Sequence, residues 1–177
     1  MEPHTIDMLV SGFDDARIAA LVRSVLERLP DSWDLYRTFD FELSDLKPDV
    51  GYASCLREEE AESGPLPGMP EGHHEQCWTV TLYRPWLAVF SDEASRWIIA
   101  HELGHVASGI ACGSLVFGGR PYTRMSGTTD QYREVTPEEK QGGEKIADAI
   151  ARAWGFWLEE EAFASEAQDL KESGSVG

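Results

Sequence analysis

The stretch Ile98-Ile99-Ala100-His101-Glu102-Leu103-Gly104-His105-Val106-Ala107 decides how this chain is read. It carries His-Glu-x-x-His in an apolar setting. On a helix, residues four apart stand one above the other on the same face. His101 and His105 can therefore offer two imidazole nitrogens to one metal ion, and Glu102 is placed to act as general base on a water at that ion. Imidazole and carboxylate ligands in a tetrahedral site suit zinc, so Zn2+ is the expected cofactor. Glu102 is the sole charge between Ile98 and Ala107, as a buried helix requires. Ser91 or Asp92 can cap its start, and no proline interrupts the run Glu93 to Ile110. The competing explanation is a plain core helix with two satisfied histidines.

A catalytic tetrahedral site needs a third protein ligand. A third His in an extended motif is absent, because Ser108 and Ala111 occupy the positions where Gly and His would stand. The ligand must then come from a second element, and the best candidate is Glu144. Thr136-Pro137-Glu138-Glu139 reads as a helix start, with Thr136 as N-cap, Pro137 at the first helical position and acids in the first turn. Apolar residues recur at Ile146, Ala147, Ile150, Trp154, Trp157 and Leu158, with Lys145, Arg152 and Glu159 on a solvated face. Glu144 and Asp148 lie one turn apart between those faces. Ala151 and Gly155 continue their line and are small enough to let the helix approach the motif helix. Asp148 then suits a supporting role, accepting a hydrogen bond from the free nitrogen of a ligand His. The exchange of roles, with Asp148 on the metal, stays open, as does the reading of both acids as surface charges.

These residues resemble the gluzincin metallopeptidases. The resemblance rests on His101-Glu102-Leu103-Gly104-His105 followed by a helix with Glu144-x-x-x-Asp148, and it covers about Val80 to Trp157. It implies that His101, His105 and Glu144 bind zinc, that Glu102 is the general base, and that Asp148 orients a ligand His. The small size and the Glu-x-x-Ala-Asp spacing are similar to the compact bacterial ImmA/IrrE-like group. The fold so implied is an α+β, zincin-like single domain. Its small mixed or antiparallel sheet would have an edge strand over the motif helix, and a C-terminal helix would carry the third ligand. The expected activity is hydrolysis of peptide bonds in a protein or peptide.

The rest of the chain is read around that core. Its 177 residues, 42% of them hydrophobic, suffice for one domain. We divide it into residues 1–76, a catalytic core over 77–165, and a disordered tail over 166–177. Ser11 to Leu29 reads as an amphipathic helix stopped by Pro30. Asp34 to Leu43 and Val50 to Leu56 read as strands, and Glu58 to His74 as a mobile loop. Trp78 to Tyr83 alternates as a strand just before the motif helix. By the resemblance this strand is the sheet edge along which an extended substrate lies, paired by backbone hydrogen bonds; on pattern alone it is equally a core strand.

Between the two helices lie Tyr122, Tyr132, Arg120, Arg124 and Arg133. Any of them could supply the second donor that a tetrahedral oxyanion needs, with Tyr132 and Tyr122 ranked first. His73, His74 and Cys77 match no strong zinc spacing and read as loop residues, with a regulatory fourth ligand as the alternative. Cys55, Cys77 and Cys112 are odd in number and lack metal or redox spacing, which points to reduced thiols and a cytoplasmic protein. Met1-Glu2-Pro3-His4 lacks the basic and apolar regions of a secretion signal. No apolar run approaches the roughly 20 residues of a membrane span. A net charge of −17 argues against nucleic acid and favours basic peptide partners, or serves solubility alone. Two other function classes stay open: a non-catalytic binding protein on a zincin scaffold, and a zinc hydrolase of a non-peptide amide or ester. The pattern does not define an oligomeric state.

Overall fold

Asp15 starts the first long helix by accepting hydrogen bonds from the backbone N–H of Arg17 and Ile18. The computed structural model describes residues 3–30, 37–48, 52–58, 76–108, 115–117, 120–124 and 132–173. Helix α1 (Pro3–Val10) precedes α2 (Ala16–Leu26), whose Ile18, Leu21, Val22, Val25 and Leu26 are all buried. The single helix expected over 11–29 is thus corrected: residues 11–15 form a turn ending in the Asp15 cap, and α1 lies upstream of it.

Three strands follow, β1 (Arg37–Ser44), β2 (Ala53–Glu58) and β3 (Gln76–Tyr83). Their spatial order is β1-β3-β2, with β1 parallel and β2 antiparallel to β3. Trp78, Val80 and Leu82 alternate into the core, where they are fully buried. The strand before the motif helix is therefore central. The expected edge-strand role of Trp78 to Tyr83 is overturned, because its backbone groups are paired on both sides. The edges are β1 and β2, and β2 is the edge strand that packs on the motif helix.

A short helix α3 (Arg84–Leu87) leads into the motif helix α4 (Asp92–Ser108). Ser91 Oγ accepts from Ala94 N at 3.2 Å and so caps α4, and Asp92 and Glu93 complement the helix dipole in the first turn. Arg17 ties the entry to α2 by donating to Leu87 O, Phe90 O and Asp92 Oδ1. Helix α4 runs through the middle of the domain and touches α2, β2, β3, α5 and α6. That position explains why apolar residues surround it on nearly every side.

After α4 come β4 (Leu115–Phe117), β5 (Arg120–Arg124) and β6 (Tyr132–Glu134), a second antiparallel sheet in that order. Helix α5 (Pro137–Ala153) opens with Thr136 as N-cap, as expected, in a full capping box with Glu139. It ends at Gly155, whose φ of 92° suits a residue without Cβ. Helix α6 (Trp157–Glu172) then begins. The apolar face expected from Ile146 through Leu158 is buried only in part. Ala147 is buried and Trp154 packs against the core, but Ile146, Trp157 and Leu158 are 41%, 54% and 57% exposed, and the small residues Gly143 and Ala151 are buried beside Ala147.

Glu159, expected on the solvated face, is buried against Arg28, which also donates to Gly155 O at 2.8 Å and lies over the Phe156 ring. Residues 166–172, expected as a disordered tail, continue α6. Ala167 is buried, and Glu166 accepts from both the N–H and the hydroxyl of Ser91. The helix is held there because its acid satisfies the start of α4. The described residues make one α+β domain, and among them no helix is long and apolar enough to cross a membrane. The expected loop, with His73 and His74, lies outside the described residues apart from Glu58, and so does Cys112. Cys77 sits on β3 opposite Thr38, and Cys55 is buried in the core.

Candidate metal centre

Two helix faces meet at the candidate site. His101 and His105 stand on α4, their rings 4.9 Å apart and nearly perpendicular. Glu144 and Asp148 stand on α5, one turn apart. His101 Nε2 lies 3.0 Å from Glu144 Oε2, and His105 Nε2 lies 3.9 Å from the same oxygen. The ligand atoms of His101, His105 and Glu144 all lie within 4.8 Å of one another, so this group could hold a metal ion. Around a tetrahedral zinc with ligands about 2.0–2.2 Å away, donor atoms sit roughly 3.3–3.6 Å apart. The two distances to Glu144 bracket that spacing, so the donor set suits such an ion.

Asp148 occupies a different place. Its Oδ1 lies 2.8 Å from Nδ1 of His101, on the far side of the ring from Glu144. A proton on Nδ1 donated to Asp148 leaves the Nε2 lone pair pointing toward Glu144 and His105. The arrangement separates the two acids: Glu144 faces both imidazoles, while Asp148 faces only the back of one. Its other oxygen, Oδ2, lies 3.8 Å from Arg152, which is itself clamped to Glu160 of α6.

The electrostatics follow from the burial. Burial pushes the His101 imidazolium down, but the hydrogen bonds to Asp148 and Glu144 and the charges of Glu102 and Glu144 outweigh it, raising its pKa from 6.5 to about 10. The metal-free protein thus holds a proton on His101 at neutral pH, and a metal must displace it. Glu102 is buried beside the histidines. Burial raises its carboxyl above the ordinary value, with His101 and His105 pulling the other way and Glu144 adding to the rise. The centre is closed on the α4 side, where the His105 side chain is 2% exposed, and open on the α5 side, where Glu144 is 39% exposed.

The remaining sequence candidates fall differently. Tyr122 lies on β5 opposite Glu134, and Tyr132 lies on β6 opposite Arg124. The side chains of both tyrosines, and of Arg120 and Arg124, lie outside the described residues. Arg133 is committed elsewhere: it grips both carboxylate oxygens of Glu139, at 2.7 and 2.5 Å, at the start of α5. One neighbour escaped the sequence reading. Trp97, buried one turn before His101, sets its ring 6.3 Å from the imidazole. The i, i+4 spacing of 97, 101 and 105 was the available signal. No family model, curated protein or solved structure matches this chain.

Proposed function

We propose that the chain is a zinc-dependent metallopeptidase of the gluzincin type, similar to the compact ImmA/IrrE-like group, acting on a protein or peptide. The observation that carries this reading is the convergence of His101 Nε2 and His105 Nε2 on Glu144 Oε2, with Asp148 taken up by His101 Nδ1. A zinc ion held by His101, His105 and Glu144 supplies a Lewis acid that polarises a carbonyl and acidifies water. The chain's own residues do the rest. Asp148 fixes the His101 ring and its tautomer. Glu102 accepts a proton from the attacking water on its carboxylate and returns it to the departing amine nitrogen. Its raised pKa makes it a better proton acceptor than a solvated carboxylate would be. The cost of burying that carboxylate favours an enzyme over a scaffold, since a purely structural site has no use for the group. The overall charge of −17 favours basic substrates.

The test is elemental analysis joined to proteolysis. A single equivalent of zinc, lost in His101→Ala and in Glu144→Ala, is the expected result. Glu102→Gln should keep the metal and lose about 10²–10⁴-fold in peptide turnover. A wild-type protein that takes up no zinc sinks the reading. Zinc uptake without peptide turnover in the wild type would leave a metal-binding scaffold in its place, undiminished turnover in Glu102→Gln would remove Glu102 as the general base, and cleavage of amides or esters without any peptide cleavage would move the substrate class.

A further inference from the structure

Gly104 sits inside the motif, in the middle of α4, where glycine is destabilising relative to alanine. A Cβ built at this position would lie 2.7 Å from the carbonyl oxygen of Ala147 and 2.9 Å from its Cα. Both are backbone atoms of α5, so no side-chain rotation relieves the clash. One helix would have to shift against the other to admit it. Gly142, also on α5, is the opposite case, with nothing within 4 Å of its built Cβ.

The contact lies at the centre of the ligand set. His101 and His105 stand three before and one after Gly104. Glu144 and Asp148 stand three before and one after Ala147. Each helix therefore presents its pair of chemical groups at the same offsets around the point where the backbones touch. A side chain four residues along a helix stays on the same face, so the distance between the helices at that point sets the distance between the two pairs.

We propose that Gly104 is a positioning residue: its missing side chain fixes the α4–α5 separation at which Glu144 meets His101 and His105 and Asp148 meets His101 Nδ1. The proposal rests on the metal reading of the site. It adds that the third residue after His101 is bound to be glycine in this chain for the sake of the ligand geometry, quite apart from the core. Moving a supporting group out of place typically costs about 10–100-fold in metal affinity, and a shift of the helix carrying one ligand acts the same way.

The experiment compares wild type with Gly104→Ala, Gly142→Ala and Ala147→Ser. Each protein is titrated with Zn2+ alone in competition with a chelator, and Co2+ is added separately to read the absorption bands that report coordination geometry. Circular dichroism and thermal melts of the metal-free proteins report the fold. Gly104→Ala is expected to remain folded, to bind zinc about 10–100-fold more weakly, and to lose the wild-type cobalt spectrum. Gly142→Ala is expected to match wild type in both. Zinc affinity within twofold of wild type in a folded Gly104→Ala overturns the proposal. If Gly104→Ala does not fold, Ala147→Ser decides, because it adds a single atom at the residue that Gly104 faces. A smaller loss of affinity with an altered cobalt spectrum supports the spacer, and unchanged binding overturns it. A wild-type protein that binds neither metal overturns the metal reading itself, whereas a metal-binding wild type with indifferent variants overturns the spacer alone.

Discussion

Helices α4 and α5 each carry half of the candidate centre, and they are buried in opposite ways. Helix α4 is enclosed by the sheet, α2, α5 and α6, and its candidate ligand His105 is held in the core. Helix α5 presents one narrow line of small residues, Gly143, Ala147 and Ala151, to the interior, and leaves most of its surface to solvent. The difference shows how a site of this kind is built. One helix supplies rigidity through packing on all sides. The other presents its two acids from a partly open face and approaches α4 along a short line of small residues. Substitutions in the apolar packing of α4 should therefore act on stability, and substitutions of the acids of α5 on metal affinity.

The largest contrast is expected in the cores of the two helices. Leu103→Ala removes a fully buried side chain of α4 and should cost about 2–5 kcal/mol in chemical denaturation of the metal-free protein. A loss below about 1 kcal/mol would mean that α4 is not the packed centre of the domain. The next effect separates affinity from stability. Asp148→Asn on α5 keeps the shape of the side chain and removes its charge, and it should weaken zinc binding about 10–100-fold in a chelator competition. Equal affinity would detach Asp148 from the centre.

The same pair predicts a pH dependence. In the metal-free protein the folded-state pKa of His101, about 10, lies above its unfolded value near 6.5. Its contribution to stability is therefore fully present below pH 6.5 and is lost as pH rises toward 10. Melting temperatures of the metal-free wild type should fall over that window, and those of Asp148→Asn should fall less. Zinc affinity should run the other way, rising with pH as the proton on His101 becomes easier to displace. A flat melting profile for the metal-free protein would break the assignment of that proton. The smallest effect completes the comparison. Ile146→Ala on the exposed side of α5 should change stability by no more than about 0.5 kcal/mol, although its apolar character made it part of the expected core.

That residue also shows where the sequence could be read and where it could not. His101 with His105, and Glu144 with Asp148, are pairs four apart on one helix, so their shared faces follow from helical geometry alone. Thr136 and Pro137 marked the start of α5 because capping is local chemistry. Ile146, Trp157 and Leu158 misled because their period is right for a helix, yet α5 is buried along the narrow line of Gly143, Ala147 and Ala151, which leaves the larger apolar side chains beside it in solvent. Gly155 then breaks the run before Trp157. The burial of Glu159 was hidden because its partner, Arg28, lies 131 positions away. The acidic tail looked unstructured for a similar reason, since Glu166 finds its donors on Ser91.

The sequence by itself determined that one helix offers two imidazoles and that another offers two carboxylates, since both patterns repeat within a turn. Only the tertiary structure decided that β3 lies between two neighbours, because strand order depends on pairings between distant segments. It also decided that Glu144 faces both Nε2 atoms while Asp148 faces Nδ1 of His101, 43 and 47 positions from that histidine. The physical reason is the contact at Gly104 and Ala147: how two helices sit against each other is set by the side chains between them, here almost none, and neither helix records that distance alone.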